Sequence, residues 1–192
     1  MPRYFFFLIL FTVCLTAGAC RKAPEPSSPA APVPSPQDTP PPPSPDTAAV
    51  DLRPATSAEV LAYVRDGGAP LTVVNFWATW CAPCIVEFPE LMRANEALKA
   101  DGVRLVFVSA DDLTDRAAVR TFLARQGASG VAFQKNEDEG PFITAFSNTW
   151  TGTLPATFVY DRAGREVAYF DRPVTFEPFT DTLRALLRTS NS

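Results

Sequence analysis

Apolar and polar positions divide the 192-residue chain into three stretches of different character. The first carries Arg3, runs apolar from Tyr4 to about Leu15, and turns to small residues before Cys20. From Ala23 to about Ala49 periodicity vanishes, with Pro, Ser, Ala and Thr dominant and Val33 the one large apolar side chain. After Val50 helical and strand periods alternate. Thr56-Ser57-Ala58-Glu59 has the form of a capping box, Val60, Leu61 and Val64 share one face, and Gly67-Gly68 supplies a stop; together they predict a short amphipathic helix. LTVVNF (71–76) and VRLVFVS (103–109) predict buried strands, because β-branched apolar runs of that length pack on both faces of a sheet. A helix between them is predicted from about 82–84 to Asp101-Gly102, with a kink at Pro89, whose ring removes one backbone bond. Thr114 is expected to cap a further helix through Val119, Phe122 and Leu123 to Gly127. Beyond it the pattern predicts a short strand at 131–134, a short helix at 141–146, a hairpin of 156–160 and 166–170, and a closing amphipathic helix at 176–187.

The resulting order is β-α-β-α, an inserted strand and helix, then β-β-α. Right-handed crossovers make the first two strands parallel and the hairpin adds an antiparallel edge. The expected fold class is therefore α/β, a mixed β-sheet with helices on both faces and an inserted strand-helix before the C-terminal β-hairpin.

The first stretch has the layout of a secretory signal peptide, 1–19, and its apolar run falls short of the roughly 20 residues that span a bilayer comfortably. Ala17-Gly18-Ala19-Cys20 resembles a bacterial lipobox, in which Cys20 would receive a diacylglycerol anchor, although Ala17-x-Ala19 also suits ordinary signal peptidase and would leave Cys20 a free thiol. Residues 20–50 then read as a lipidated cysteine and a disordered Pro-rich tether, and 51–192 as one domain. Eleven of the 20 prolines lie between Pro24 and Pro45, so the segment cannot bury enough surface to fold. At about 3.1 Å per residue in polyproline form, it would hold a domain up to roughly 80 Å from a membrane.

Charge and composition narrow the chemistry. Seventeen basic against 21 acidic residues give a net charge of −4 with no basic cluster, which argues against a nucleic-acid partner. The chain has no histidine at all, which excludes Ser-His-Asp and Cys-His catalysis, histidine-ligated zinc and an imidazole switch.

Cys81-Ala82-Pro83-Cys84 sits where a buried strand hands over to a helix. A zinc site would need two more ligands; with Cys14 in the leader and Cys20 beyond the tether, one cysteine pair remains, and no metal is expected. As a structural staple so small a loop would remove little unfolded-state entropy. Redox chemistry fits better. Cys81, at the helix N-terminus, is the expected nucleophile because unpaired N–H groups stabilise its thiolate, and Cys84, one turn in, is the expected resolving thiol. Pro83 stiffens the turn. No cofactor is needed beyond the Cys81–Cys84 disulfide itself.

VVNFWATWCAPCIVEFPEL, residues 73–91, resembles the active-site segment of thioredoxin-fold thiol-disulfide oxidoreductases, especially the membrane-tethered TlpA/ResA type of bacterial envelopes. The likeness covers about 52–188 and includes Gly152-Thr153-Leu154-Pro155-Ala156-Thr157-Phe158, similar to the family's cis-proline loop. It implies a thioredoxin-like fold, a cis Pro155 packed against the cysteines, and Leu154 offering backbone groups to a substrate segment. It also implies exported cysteine-containing proteins as substrates, such as apocytochrome c in cytochrome c biogenesis, and a membrane dithiol as reductant; together with the lipobox-like junction at Cys20, the expected location is the bacterial envelope, with a lipid-anchored domain facing the periplasm or extracytoplasmic space.

Asn75 stands where thioredoxin carries a buried aspartate, so another group must move protons. Glu87, three residues after Cys84, is the expected relay, a carboxylate at a spacing found in the TlpA/ResA type; its alternative is an ordinary solvated helix charge. Trp77 and Trp80 are expected in an apolar collar where a partner docks, and Trp150 either joins that collar or fills core. Asp111 and Asp112 read as solvated loop charges. Rival functions are a disulfide oxidase or isomerase using the same cysteines, a Cu(I)-delivery module, which on this fold generally adds a histidine, and a thiol peroxidase, whose Thr-x-x-Cys spacing Thr79 does not meet.

Overall fold

The computed structural model describes residues 50–190; the expected signal peptide, Cys20 and the tether lie outside the described residues. Six strands form one sheet, ordered β1-β4-β3-β2-β5-β6: β1 (Asp51–Ala55), β2 (Leu71–Trp77), β3 (Val103–Ser109), β4 (Val131–Lys135), β5 (Ala156–Asp161) and β6 (Glu166–Phe170). β2 runs parallel to β3, β3 to β4 and β4 to β1, while β5 and β6 form the antiparallel hairpin, β5 pairing against β2. The fold is mixed α/β and thioredoxin-like.

Strand alternation sorts the core into two layers. Val73 and Trp77 of β2, Phe107 of β3 and Val159 of β5 face α2 (Ala82–Leu98), α3 (Arg116–Arg125) and α5 (Phe176–Ser190), packing with Phe88, Leu123 and Leu183. Val74, Phe76, Val108 and Phe158 face α1 (Ser57–Asp66) and α4 (Glu139–Phe146), packing with Val60, Val64, Phe142 and Phe146. Every residue of β2 is buried, as expected of a central strand covered on both sides. Among the described residues no helix is long and apolar enough to cross a membrane.

Two local expectations change. β1, absent from the sequence reading, pairs in parallel with the inserted strand β4; it buries only Leu52 and Ala55, and Pro54 suits an edge strand that needs no outward donor. Thr56 forms the expected capping box with Glu59, but Thr114 does not cap α3: it lies inside a 3-10 turn, Leu113–Asp115, and Asp115 precedes the helix without a side-chain cap bond. The helix carrying Pro89 is continuous from Ala82 to Leu98, then tightens into a 3-10 turn ending at Gly102, whose φ of 82° needs glycine.

Candidate active site

β2 ends at Trp77 and the chain crosses in three residues to Cys81, the N-cap of α2. A turn closed by the Cys81 N–H on the Ala78 carbonyl (3.1 Å) sets the cysteine in extended conformation, φ −88° and ψ 96°. Its Sγ takes the place of a capping oxygen, accepting the Cys84 N–H at 3.3 Å, and its carbonyl accepts the Ile85 N–H at 3.1 Å. Pro83, exposed, occupies the second helical position, where a missing donor leaves no bond unmade.

Cys81 and Cys84 are joined as a disulfide with Cα atoms 5.3 Å apart. Cys81 retains 5% of its surface and Cys84 none. The helix start thus leaves a small part of one cysteine accessible and seals the other. Around it Trp80 (68% exposed), Ile85 and Val86 (76%) stand as uncovered apolar side chains. Trp77 does not belong to that collar. It is fully buried, tilted against Phe122 at 4.7 Å and edge-on to Phe88 at 5.4 Å, because strand alternation turns it into the layer beneath α2. Trp150 is also core: its ring centroid lies 4.6 Å from that of Phe76, and its Nε1–H donates to the Thr153 carbonyl at 2.9 Å, tying down the loop before Leu154. In that loop Leu154 is half-buried, Pro155 is buried, and the peptide between them is cis.

Two buried carboxylates lie under this surface. Glu87, 2% exposed, accepts the Asn75 amide at Oε1 and the Val174 N–H at Oε2, both at 2.9 Å. The Asn75 Nδ2 spends its other hydrogen on Thr157 Oγ1, 2.9 Å away and two residues beyond Pro155. Burial pushes the Glu87 carboxyl above its ordinary range, while the bonds from Val174 and Asn75 pull it back. Glu87 is therefore no solvated helix charge. On helical spacing it shares a surface with Cys84, one turn away.

Asp111 is the second, and corrects the reading of it as a solvated charge. It is buried beyond the end of β3 and accepts the Thr79 N–H at 3.0 Å, the Ser109 hydroxyl at 2.7 Å and the Thr79 hydroxyl. Gln134 of β4 donates to the Asp112 carbonyl at 2.6 Å, so the inserted strand braces the same corner. No spacing in the sequence marks Asp111; its partner Thr79 is 32 residues away in the chain.

The chain matches the AhpC/TSA family over residues 57–169. It is 36% identical over 135 residues to the thiol:disulfide interchange protein HelX of Rhodobacter capsulatus, an alignment covering 70% of this chain and 67% of that one. To the thiol-disulfide oxidoreductase ResA of Bacillus thuringiensis it is 34% identical over 94 residues, which span about half of each protein, 49% and 50%. Among solved structures, a secreted thiol-disulfide isomerase from Corynebacterium glutamicum superposes with a TM-score of 0.53 at 27% identity, covering 64% of this chain and 74% of that one.

Proposed function

Since the chain belongs to the AhpC/TSA family and is a thiol-disulfide oxidoreductase of thioredoxin-like fold, we propose that it works in the bacterial envelope, reducing disulfides of exported proteins with the Cys81–Cys84 dithiol. Reduced Cys81, at the N-terminus of α2, attacks one sulfur of a substrate disulfide. That bond breaks, one substrate thiolate leaves, and a Cys81–substrate mixed disulfide forms. Glu87 accepts the proton of Cys84, whose thiolate then attacks the Cys81 sulfur. The second substrate thiol departs and the Cys81–Cys84 disulfide remains, two electrons having passed to the substrate.

The observation that carries this reading is a buried carboxylate one turn from a sealed resolving cysteine. A negative charge there disfavours thiolate, opposing the stabilisation of the dithiol form that makes such a pair an oxidant. Trp80, Ile85 and Val86 supply a rim on which a protein substrate seats, and the Leu154–Pro155 loop offers it backbone groups. An anchor at Cys20 with the Pro-rich tether would keep the domain on the periplasmic side, within reach of a membrane dithiol that reloads it.

The equilibrium reduction potential of the full chain, from thiol trapping across dithiothreitol and glutathione buffers, tests the direction. A value near or below about −270 mV supports a reductant, and one near −120 to −180 mV makes it an oxidase or isomerase. A pair that does not exchange, but retains Cu(I) stoichiometrically when reduced, replaces the enzyme with a metal-delivery module.

A further inference from the structure

The residue beside Glu87 is an asparagine, and its two ends are used unequally. Asn75 lies on β2 opposite Thr157 of β5 and is completely buried. Both hydrogens of its amide are committed, one to Glu87 Oε1 and one to Thr157 Oγ1, whereas its Oδ1 has no hydrogen-bond partner among the described residues. An unpartnered buried carbonyl costs free energy, so the amide is held this way round by what its nitrogen end gains. That end meets a carboxylate, and a hydrogen bond to a charged acceptor is stronger than one between neutral groups.

We propose that Asn75 is the positioning residue of the proton step: it and the Val174 N–H each occupy one lone pair of the Glu87 carboxylate, fixing its plane and leaving the remaining lone pairs to take the proton of Cys84. The proposal rests on the relay role given to Glu87 above. When Cys84 S–H gives its proton, Glu87 becomes a carboxylic acid without losing either donor, and the Cys84 thiolate breaks the Cys81 mixed disulfide. The amide is suited to this place because an aspartate would set a second carboxylate against the first and would offer no hydrogen when ionised. Through Thr157 the same amide joins the acid to the strand that follows the Leu154–Pro155 loop, so substrate-holding backbone and proton acceptor share one buried support.

Few charges compete. The titratable neighbours on α2 are Cys84, one turn before, and Glu90, one turn after, whose carboxylate accepts the Phe176 N–H and pairs with Arg93. In the segment leading to α5, Asp171 and Arg172 pair with each other at the surface. β2 carries no ionisable side chain, and β5 carries Tyr160 and Asp161 at its far end, Asp161 paired with Arg165. Burial and the two hydrogen bonds alone account for the position of Glu87.

The test uses the full-length protein with 13C-labelled glutamate, Glu87 being assigned by its loss in Glu87→Gln, and the disulfide reagent 5,5′-dithiobis(2-nitrobenzoate), which releases one thiolate when Cys81 attacks and a second when Cys84 resolves. In Asn75→Ala the Glu87 titration is expected to move up by about one pH unit, a tenfold weaker acid, and the pH profile of the second release to move with it while the first stays in place. In Asn75→Asp, close to the native shape, the Glu87 signal is expected to titrate in two steps shared by the pair. A single, unmoved Glu87 midpoint in either variant that folds overturns the proposal. A second release whose pH profile is the same in Glu87→Gln as in the unaltered protein removes the relay role instead, whatever Asn75 does to the titration.

Discussion

Asp111 Oδ2 accepts the Thr79 N–H at 3.0 Å, joining the corner after β3 to the loop that delivers Cys81. The same carboxylate takes the hydroxyls of Thr79 and Ser109, so one buried side chain fixes the path between Trp77 and the helix start. Asp111→Ala leaves the part-buried Thr79 N–H without its acceptor and removes the bonds of both hydroxyls, and should cost about 2 kcal/mol. Asp111→Asn keeps the volume and one acceptor oxygen and should cost roughly half as much. Urea unfolding of the oxidised proteins measures both, and equal stability of Asp111→Ala and the unaltered chain would remove the clamp.

Two tryptophans three residues apart divide the work of core and surface. Trp77→Ala deletes a fully buried ring against Phe88 and Phe122 and should destabilise the domain by about 3–5 kcal/mol. Trp80→Ala touches a side chain 68% exposed and should change stability by no more than about 0.5 kcal/mol. If the rim seats protein substrates, Trp80→Ala raises KM for a disulfide-bonded protein by about tenfold and leaves turnover of a small aliphatic disulfide unchanged. Equal effects on both substrates would exclude a docking role for Trp80.

Sequence made the central features readable because they depend on local pattern. β2 and β3 are largely apolar runs rich in β-branched residues, α1 carries its own capping box, and the helix after β2 begins at the cysteine motif. What was hidden depends on partners distant in the chain. β1 is exposed at three of five positions and becomes a strand only because β4 offers it a parallel neighbour. Asp111 resembles any loop aspartate until Thr79 folds over it, and Trp77 resembles Trp80 until the end of the strand separates inward from outward. Glu87 stood between two readings, and the deciding fact, its contact with the Val174 N–H, spans 87 positions.

The unequal access of the cysteines sets the order of events. Cys84→Ser leaves Cys81 to attack but nothing to resolve, so the variant should accumulate a covalent mixed disulfide with a disulfide-bonded substrate protein. Cys81→Ser should accumulate none, because Cys84 has no exposed surface. Non-reducing electrophoresis of the two variants with the same substrate distinguishes them, and trapping at Cys84 would invert the assignment of nucleophile and resolving thiol.

Glu87 also leaves a signature in stability. Its ordinary value is 4.5 and burial raises it in the folded chain, so as pH rises past about 4.5 the unfolded chain gives up this proton first. Stability contributed by the protonated carboxyl is therefore complete below that pH and is lost progressively as pH climbs through the folded-state midpoint. Glu87→Gln has no proton to lose. Its amide oxygen can still accept the Val174 N–H, and its nitrogen can donate to an Asn75 amide turned over to present Oδ1, so the variant is expected to fold. Its stability relative to the unaltered protein should then be higher at pH 7 than at pH 4, the difference growing between those values. Urea unfolding of both oxidised proteins at the two pH values gives the comparison. A difference that is the same at both would mean that Glu87 titrates alike in folded and unfolded chains, and that burial of its carboxyl has no electrostatic consequence.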